Sequence, residues 1–122
     1  MKKLIAILMV VAMVFSLAAC GGNGDADTNK GGAIVMTMGT GGTAGTYYGY
    51  GGILGNQIKA SSGITINVVS TDGSKANILG IDTGNYQLGT VQSDVMSYAW
   101  AGSRSFEKEG AVNSFRVIGG LY

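Results

Sequence analysis

Apolar and polar positions come in blocks along this chain, and from residue 33 onward the blocks alternate between strand-like and helix-like patterns. Ala33 to Met38 is a short, nearly continuous apolar run, the pattern of a strand covered on both faces. Tyr47 to Ala60 can form a helix with Ile53, Leu54 and Ile58 on one side. Gly49, Gly51, Gly52 and Gly55 weaken that helix by about 1 kcal/mol each against alanine, so packing must hold it, and small residues let it sit close to a sheet. Ser61-Ser62-Gly63 ends it, and Ile64 to Val69 alternates like a strand. Ser70-Thr71-Asp72-Gly73-Ser74 offers capping side chains before a helix over 74–82 that carries Ile78, Leu79 and Ile81 and stops by Gly84. Leu88 to Gln92 reads as a third strand. Ser93 or Asp94 caps a third helix through Val95 to Ala101, closed by Gly102. Ser103 to Gly110 is a polar loop, and Ser114 to Gly119 contains a fourth strand.

Strands and helices in strict alternation predict an α/β fold with a mostly parallel sheet and helices on both faces. Ligands in such sheets bind at the carboxyl ends of the strands. Three polar clusters fall there: Thr40 to Thr46 after the first strand, Ser70 to Ser74 after the second, and Gln92 to Asp94 after the third. Capping explains each of the latter two taken singly, and Asp94 fully. Three hydroxyl-rich turns on one edge point to a single site.

The first cluster is the most suggestive. Glycines at 39, 41, 42 and 45 remove the Cβ atoms that would keep a ligand off the backbone and permit positive φ, so successive N–H groups can converge. Opening onto a helix, they favour an anion. Thr40, Thr43 and Thr46 add uncharged hydroxyls. A flexible Gly/Thr linker has the same composition, but a position between strand and helix argues against it. Tyr47 and Tyr48 suit either a ligand contact or a small core, whereas Tyr98 and Trp100 read as core. Lys75, the cation nearest the three loops, reads as a solvated helix residue.

Composition narrows the chemistry. Residues 1–19 read as a signal peptide, with Lys2 and Lys3 as its basic start, Leu4 to Leu17 as its apolar stretch and Ala18-Ala19 before the cleavage point. Cys20 is the only cysteine, so no intramolecular disulfide is available. Leu17-Ala18-Ala19-Cys20 resembles the lipobox of bacterial lipoproteins, which implies acylation of Cys20 and an extracytoplasmic protein lipid-anchored to the bacterial cell membrane. An ordinary secretory signal with a chance cysteine is the plainer alternative. Residues 20–32 then form a flexible tether ahead of a folded part over 33–122. Eight basic residues, less Lys2 and Lys3, stand against seven acidic ones, so nucleic acid is not an expected partner. The mean hydropathy of +0.28 is raised by the signal segment. The sequence has no histidine, which removes histidine-based triads and metal sites; no metal or cofactor is expected.

Gly39-Thr40-Gly41-Gly42-Thr43-Ala44 also fits the dinucleotide fingerprint, but the second strand ends in Val69-Ser70-Thr71 without the acidic residue expected about 20 positions on. A phosphate-binding P-loop fails because no Gly-Lys-Ser/Thr closes the loop. Taken together, Thr40 to Tyr48, Ser70 to Ser74 with Asn77, Leu88-Gly89 and Val91-Gln92-Ser93-Asp94 resemble the TAXI family of solute receptors of TRAP transporters, from about Ile34 to Tyr122. The resemblance implies the first lobe of a two-lobed periplasmic-binding-protein-like (type II) fold. It implies a receptor, not an enzyme, that closes on a small carboxylate-bearing solute, an amino acid or a dicarboxylate such as glutamate, and hands it to TRAP-type permease subunits. By matching position, Thr40, Gly41, Gly42, Thr43, Tyr47, Thr71, Gly73, Ser74, Gln92 and Asp94 would line the ligand side. Ala44 stands where the family has glycine, Gly49 where proline is common and Gln87 where aspartate is usual. With no second lobe before Tyr122, the chain reads as an N-terminal fragment, expected to bind its solute weakly or not at all alone. Two other classes fit parts of the pattern: an exported nucleotide-binding enzyme using the Gly-rich loop, and a structural surface lipoprotein.

Overall fold

Val35–Gly39 forms β1, which in this computed structural model, describing residues 32–121, is the middle strand of a three-stranded parallel sheet. The chain continues through α1 (Thr46–Ser62), β2 (Thr65–Val69), α2 (Ser74–Asp82), β3 (Leu88–Gly89), α3 (Ser93–Ala101) and a 3₁₀ turn at Arg104–Phe106. The predicted signal peptide, Cys20 and nearly all of the tether lie outside the described residues. β1 pairs with β2 over five positions, from Val35 with Thr65 to Gly39 with Val69. With β3 it pairs over only two, Met38 with Leu88 and Gly39 with Gly89.

β1 leads to β2 on one side and β2 leads to β3 across β1, so right-handed crossovers put α1 and α2 on opposite faces. The glycines that weaken α1 bring it down onto its face. A Cβ at Gly51 would lie 2.9 Å from Thr40 Cγ2 and 3.1 Å from Val68 Cγ1, and one at Gly55 would lie 3.3 Å from Ile66 Cβ. On the opposite face a Cβ at Gly89 would meet Asn77 Cβ at 3.1 Å and Ile81 Cδ1 at 3.2 Å, and Gly39 has Asn77 and the Tyr86 ring in its way. Side-chain alternation along β1 explains the split, Met38 facing α1 and Gly39 facing α2.

The apolar core gathers Ile78, Ala99, Phe106, Val112 and Phe115 beside α2 and α3. Two polar links stitch the segment after α3 onto α2. Ser114 Oγ donates to Asp82 Oδ1 at 2.6 Å, and Lys75 Nζ sits 2.9 Å from Glu109 Oε1 and 5.4 Å from the centre of the Phe106 ring. Lys75 is therefore a partly exposed helix residue, as expected, whose ammonium is also paired with Glu109 above the Phe106 ring.

Several expectations are corrected. β1 is not covered along its length, since Ile34 and Val35 are each 54% exposed and burial begins at Met38. Ile53 is 72% exposed because Gly51 and Gly55, not Ile53, face the sheet. The third strand closes after Gly89, where its partner β1 also ends. Trp100 is half exposed, touching Phe115 edge-on at 6.0 Å instead of filling the core. Ser114 to Gly119 is not a strand. Arg116 Nη1 donates to the carbonyls of Asn113 and Phe115, Phe115 turns into the core, and Val117 and Ile118 remain exposed beside no pairing strand.

Candidate functional site

All three strands point the same way, so the loops that follow them, residues 40–45, 70–73 and 90–92, share one edge of the sheet, and a helix starts from each. The residues that begin these helices are Gly45, Gly73 and Gln92, and none makes a side-chain capping bond. The expected caps from Ser70–Ser74 and from Ser93 or Asp94 are not formed. Gly73 adopts φ 90°, ψ −154°, a conformation glycine alone takes without strain, so no side chain is present there to cap α2. Asp94 Oδ1 instead accepts the N–H of its neighbour Val95 at 2.8 Å. Helix dipoles and the first-turn N–H groups without a side-chain acceptor favour an anion at this edge, against the exposed carboxylates of Asp72 and Asp94, the second of which already takes the Val95 N–H.

The glycines of the first loop work by size. None of Gly39, Gly41, Gly42 and Gly45 has positive φ, contrary to the conformational role expected of them. Gly39 gives room to Asn77 and Tyr86, while Gly42 faces open space, where nothing lies within 4 Å of an added Cβ. From Gly42 to Gly45 the loop is exposed, Thr43 included.

Beneath it a buried network joins the three loops. Thr40 is fully buried, its hydroxyl donating to the Val69 carbonyl at 2.7 Å and its N–H to the same carbonyl at 3.1 Å. Asn77, also fully buried, donates through Nδ2 to the Thr40 carbonyl at 2.6 Å and to the Thr90 carbonyl at 2.8 Å. The Thr71 hydroxyl lies 2.7 Å from Asn77 Oδ1 and 3.0 Å from the Thr40 carbonyl, donating its one proton between them, and accepts the Gly73 N–H at 3.1 Å. Ser74 Oγ accepts the Gln92 N–H at 3.0 Å and lies 3.4 Å from Gln92 Oε1, which ties the second loop to the third.

Of the residues singled out from the sequence, Thr40, Thr71, Gly73, Ser74 and Gln92 thus meet in one network. Gly41 is buried beside Tyr47, a Cβ there lying 3.8 Å from Tyr47 Cβ, and Tyr47 is half-buried. Gly42, Thr43 and Asp94 are exposed on the same edge. The hydroxyls of Thr40 and Thr71 are spent inside the protein, which leaves backbone N–H groups, Thr43 and Gln92 to face outward. Two residues were missed as site residues. Asn77 is the hub, a lone amide in an otherwise apolar helix stretch, and Thr90, hidden in an expected strand, supplies the carbonyl that Asn77 holds. Gln87 fills its own place by taking the Thr37 N–H at 2.9 Å through Oε1.

Elsewhere a groove of about 300 Å³ runs between α3 and the following segment, lined by Met96, Ser97, Trp100, Phe115, Arg116 and Val117 and by none of the loop residues. Among the described residues no three acidic or cysteine side chains gather as metal ligands, and no helix is long and apolar enough to cross a membrane. Residues 38–122 match the model of the NMT1-like family, whose members are solute-binding proteins of the periplasmic-binding-protein type.

Proposed function

The chain belongs to the NMT1-like family, and from that premise we propose that it is the extracytoplasmic receptor of a TRAP-type secondary transporter of the TAXI class, capturing a small carboxylate-bearing solute. An amino acid or a dicarboxylate such as glutamate fits best. The observation that carries this reading is the loop edge: three helix starts without side-chain caps, on one side of a parallel sheet, above loops tied together by a buried asparagine. A carboxylate is matched there by backbone donors and dipoles, with Thr43 and Gln92 as outward-facing polar contacts and Gly42 leaving space for close approach. Asp94, Gly41 and Tyr47 complete the proposed lining. No catalytic role is assigned to any residue. In this reading Cys20 carries the lipid that keeps the receptor at the bacterial cell membrane and the permease is its delivery partner.

The test is an NMR titration of the full 122-residue chain with L-glutamate, succinate, ATP and NAD in separate series. Amide shifts over residues 41–46, 71–74 and 91–94 are expected with the two carboxylates at millimolar concentration and not with the nucleotides. Nucleotide-only shifts would reverse the assignment in favour of an exported nucleotide-binding enzyme, and no shifts with any would remove the loop edge as a solute site of this chain. The anchor has its own readout, palmitate incorporation in cells, expected to vanish in Cys20→Ser.

A further inference from the structure

Among the buried side-chain polar atoms described, Thr90 Oγ1 is the one without a hydrogen-bond partner. The residue is 5% exposed, and its backbone is fully engaged, the N–H donating to the Gly39 carbonyl at 3.1 Å and the carbonyl accepting from Asn77 at 2.8 Å. Thr90 thus sits at a fixed place on the site edge with its hydroxyl unused. Its direction follows from the ladder. Gly39 and Gly89 are paired, and the side chains they lack would both point at Asn77, so the next residues, Thr40 and Thr90, turn to the opposite face, where Thr40 Cγ2 abuts Gly51. Thr40 spends its hydroxyl on Val69, and Thr90 has no such neighbour. Thr40 leads directly into the glycine loop, which is exposed from Gly42 onward.

A buried, unsatisfied hydroxyl destabilises a fold, and valine fills the same shape without that loss. We infer that Thr90 is a specificity-determining contact of the solute site: its hydroxyl donates to a carboxylate oxygen of the bound solute once loop 41–45 shifts to admit it. This assignment rests on the carboxylate-receptor reading. It adds a buried hydroxyl donor to the backbone N–H groups of the loop edge.

Two variants of the full chain test it, Thr90→Val, which keeps the shape, and Thr90→Ser, which keeps the hydroxyl. Without solute, Thr90→Val is expected to melt at or above the wild-type temperature, because no bond is lost. A clear fall in Thr90→Val but not in Thr90→Ser would mean that the hydroxyl is already bonded in the free protein, and would overturn the inference. With L-glutamate or succinate followed by NMR, Thr90→Val is expected to weaken binding about tenfold or more, the usual effect of one hydrogen bond to a charged group, and Thr90→Ser by less than about threefold. Wild type and Thr90→Val binding alike would overturn the Thr90 assignment and leave the receptor reading standing. Wild type binding neither carboxylate would overturn both.

Discussion

Asn77 shows how one buried side chain can tie three loops together. Its Nδ2 group holds the Thr40 and Thr90 carbonyls, its Oδ1 faces the Thr71 hydroxyl, and it has no exposed surface. Replacing it by leucine keeps comparable bulk but leaves two buried carbonyls and one hydroxyl without that partner. At about 1–3 kcal/mol for each buried group left unsatisfied, offset in part by relaxation, Asn77→Leu is expected to cost about 2–4 kcal/mol, measured by urea denaturation. A loss below about 1 kcal/mol would mean that the loops hold their positions without it. Thr43 stands at the other extreme, exposed and outside the network, so its removal is expected to leave folding stability unchanged. That the polar turns share one sheet edge was legible because the strands themselves were legible. Asn77 was not, because a single asparagine in an apolar helix stretch looks the same whether it faces solvent or three loops. Thr90 was masked by the assumption that strand three ran on to Gln92.

At the scale of elements, α1 separates two uses of glycine. Gly51 and Gly55 face the sheet at distances that exclude a methyl group without adjustment, whereas Gly49 and Gly52 have nothing within 4 Å of an added Cβ. Gly52→Ala is therefore expected to stabilise the protein by about 0.5–1 kcal/mol through helix propensity. Gly51→Ala, with the same propensity gain, is expected to be destabilising, because the new methyl would meet Thr40 Cγ2 at 2.9 Å and Val68 Cγ1 at 3.1 Å. Melting temperatures that move in the same direction for both variants would refute this facing. The spacing of small residues announced close packing, but not which glycines performed it, and this is why Ile53 was placed on the wrong side. α2 was read to the residue, from 74 to 82, since Gly73 and Gly84 bracket a compact apolar pattern. The fourth strand failed for a reason outside its own residues. Val117 and Ile118 have strand-forming side chains, and a strand also needs a neighbouring edge to pair with.

At the scale of the whole molecule, the segment after α3 is held to the sheet-and-helix layer by core packing and by the Lys75–Glu109 and Asp82–Ser114 links. The Lys75 ammonium, hydrogen-bonded to Glu109, holds that carboxyl below its ordinary value of 4.5, with Glu109's own N–H and the Lys108 charge acting the same way and desolvation opposing. A carboxylate whose folded-state pKa is depressed stabilises the fold above its unfolded value and loses that contribution as pH falls through the folded value. Wild type is accordingly expected to melt slightly above Glu109→Gln at pH 7, the difference closing as the pH drops below about 4.5, in a pH series of melting curves. An unchanged difference at pH 3 would refute the pairing as its source. The sheet itself is lopsided, five rungs between β1 and β2 against two between β1 and β3. Local opening is expected to follow the weaker seam, so that in a hydrogen-exchange series amide protons of β3 exchange with solvent before those of β2. Whatever occupies the edge would gain affinity by fastening that seam, and its binding would register as slowed exchange along β3 even where it makes no contact.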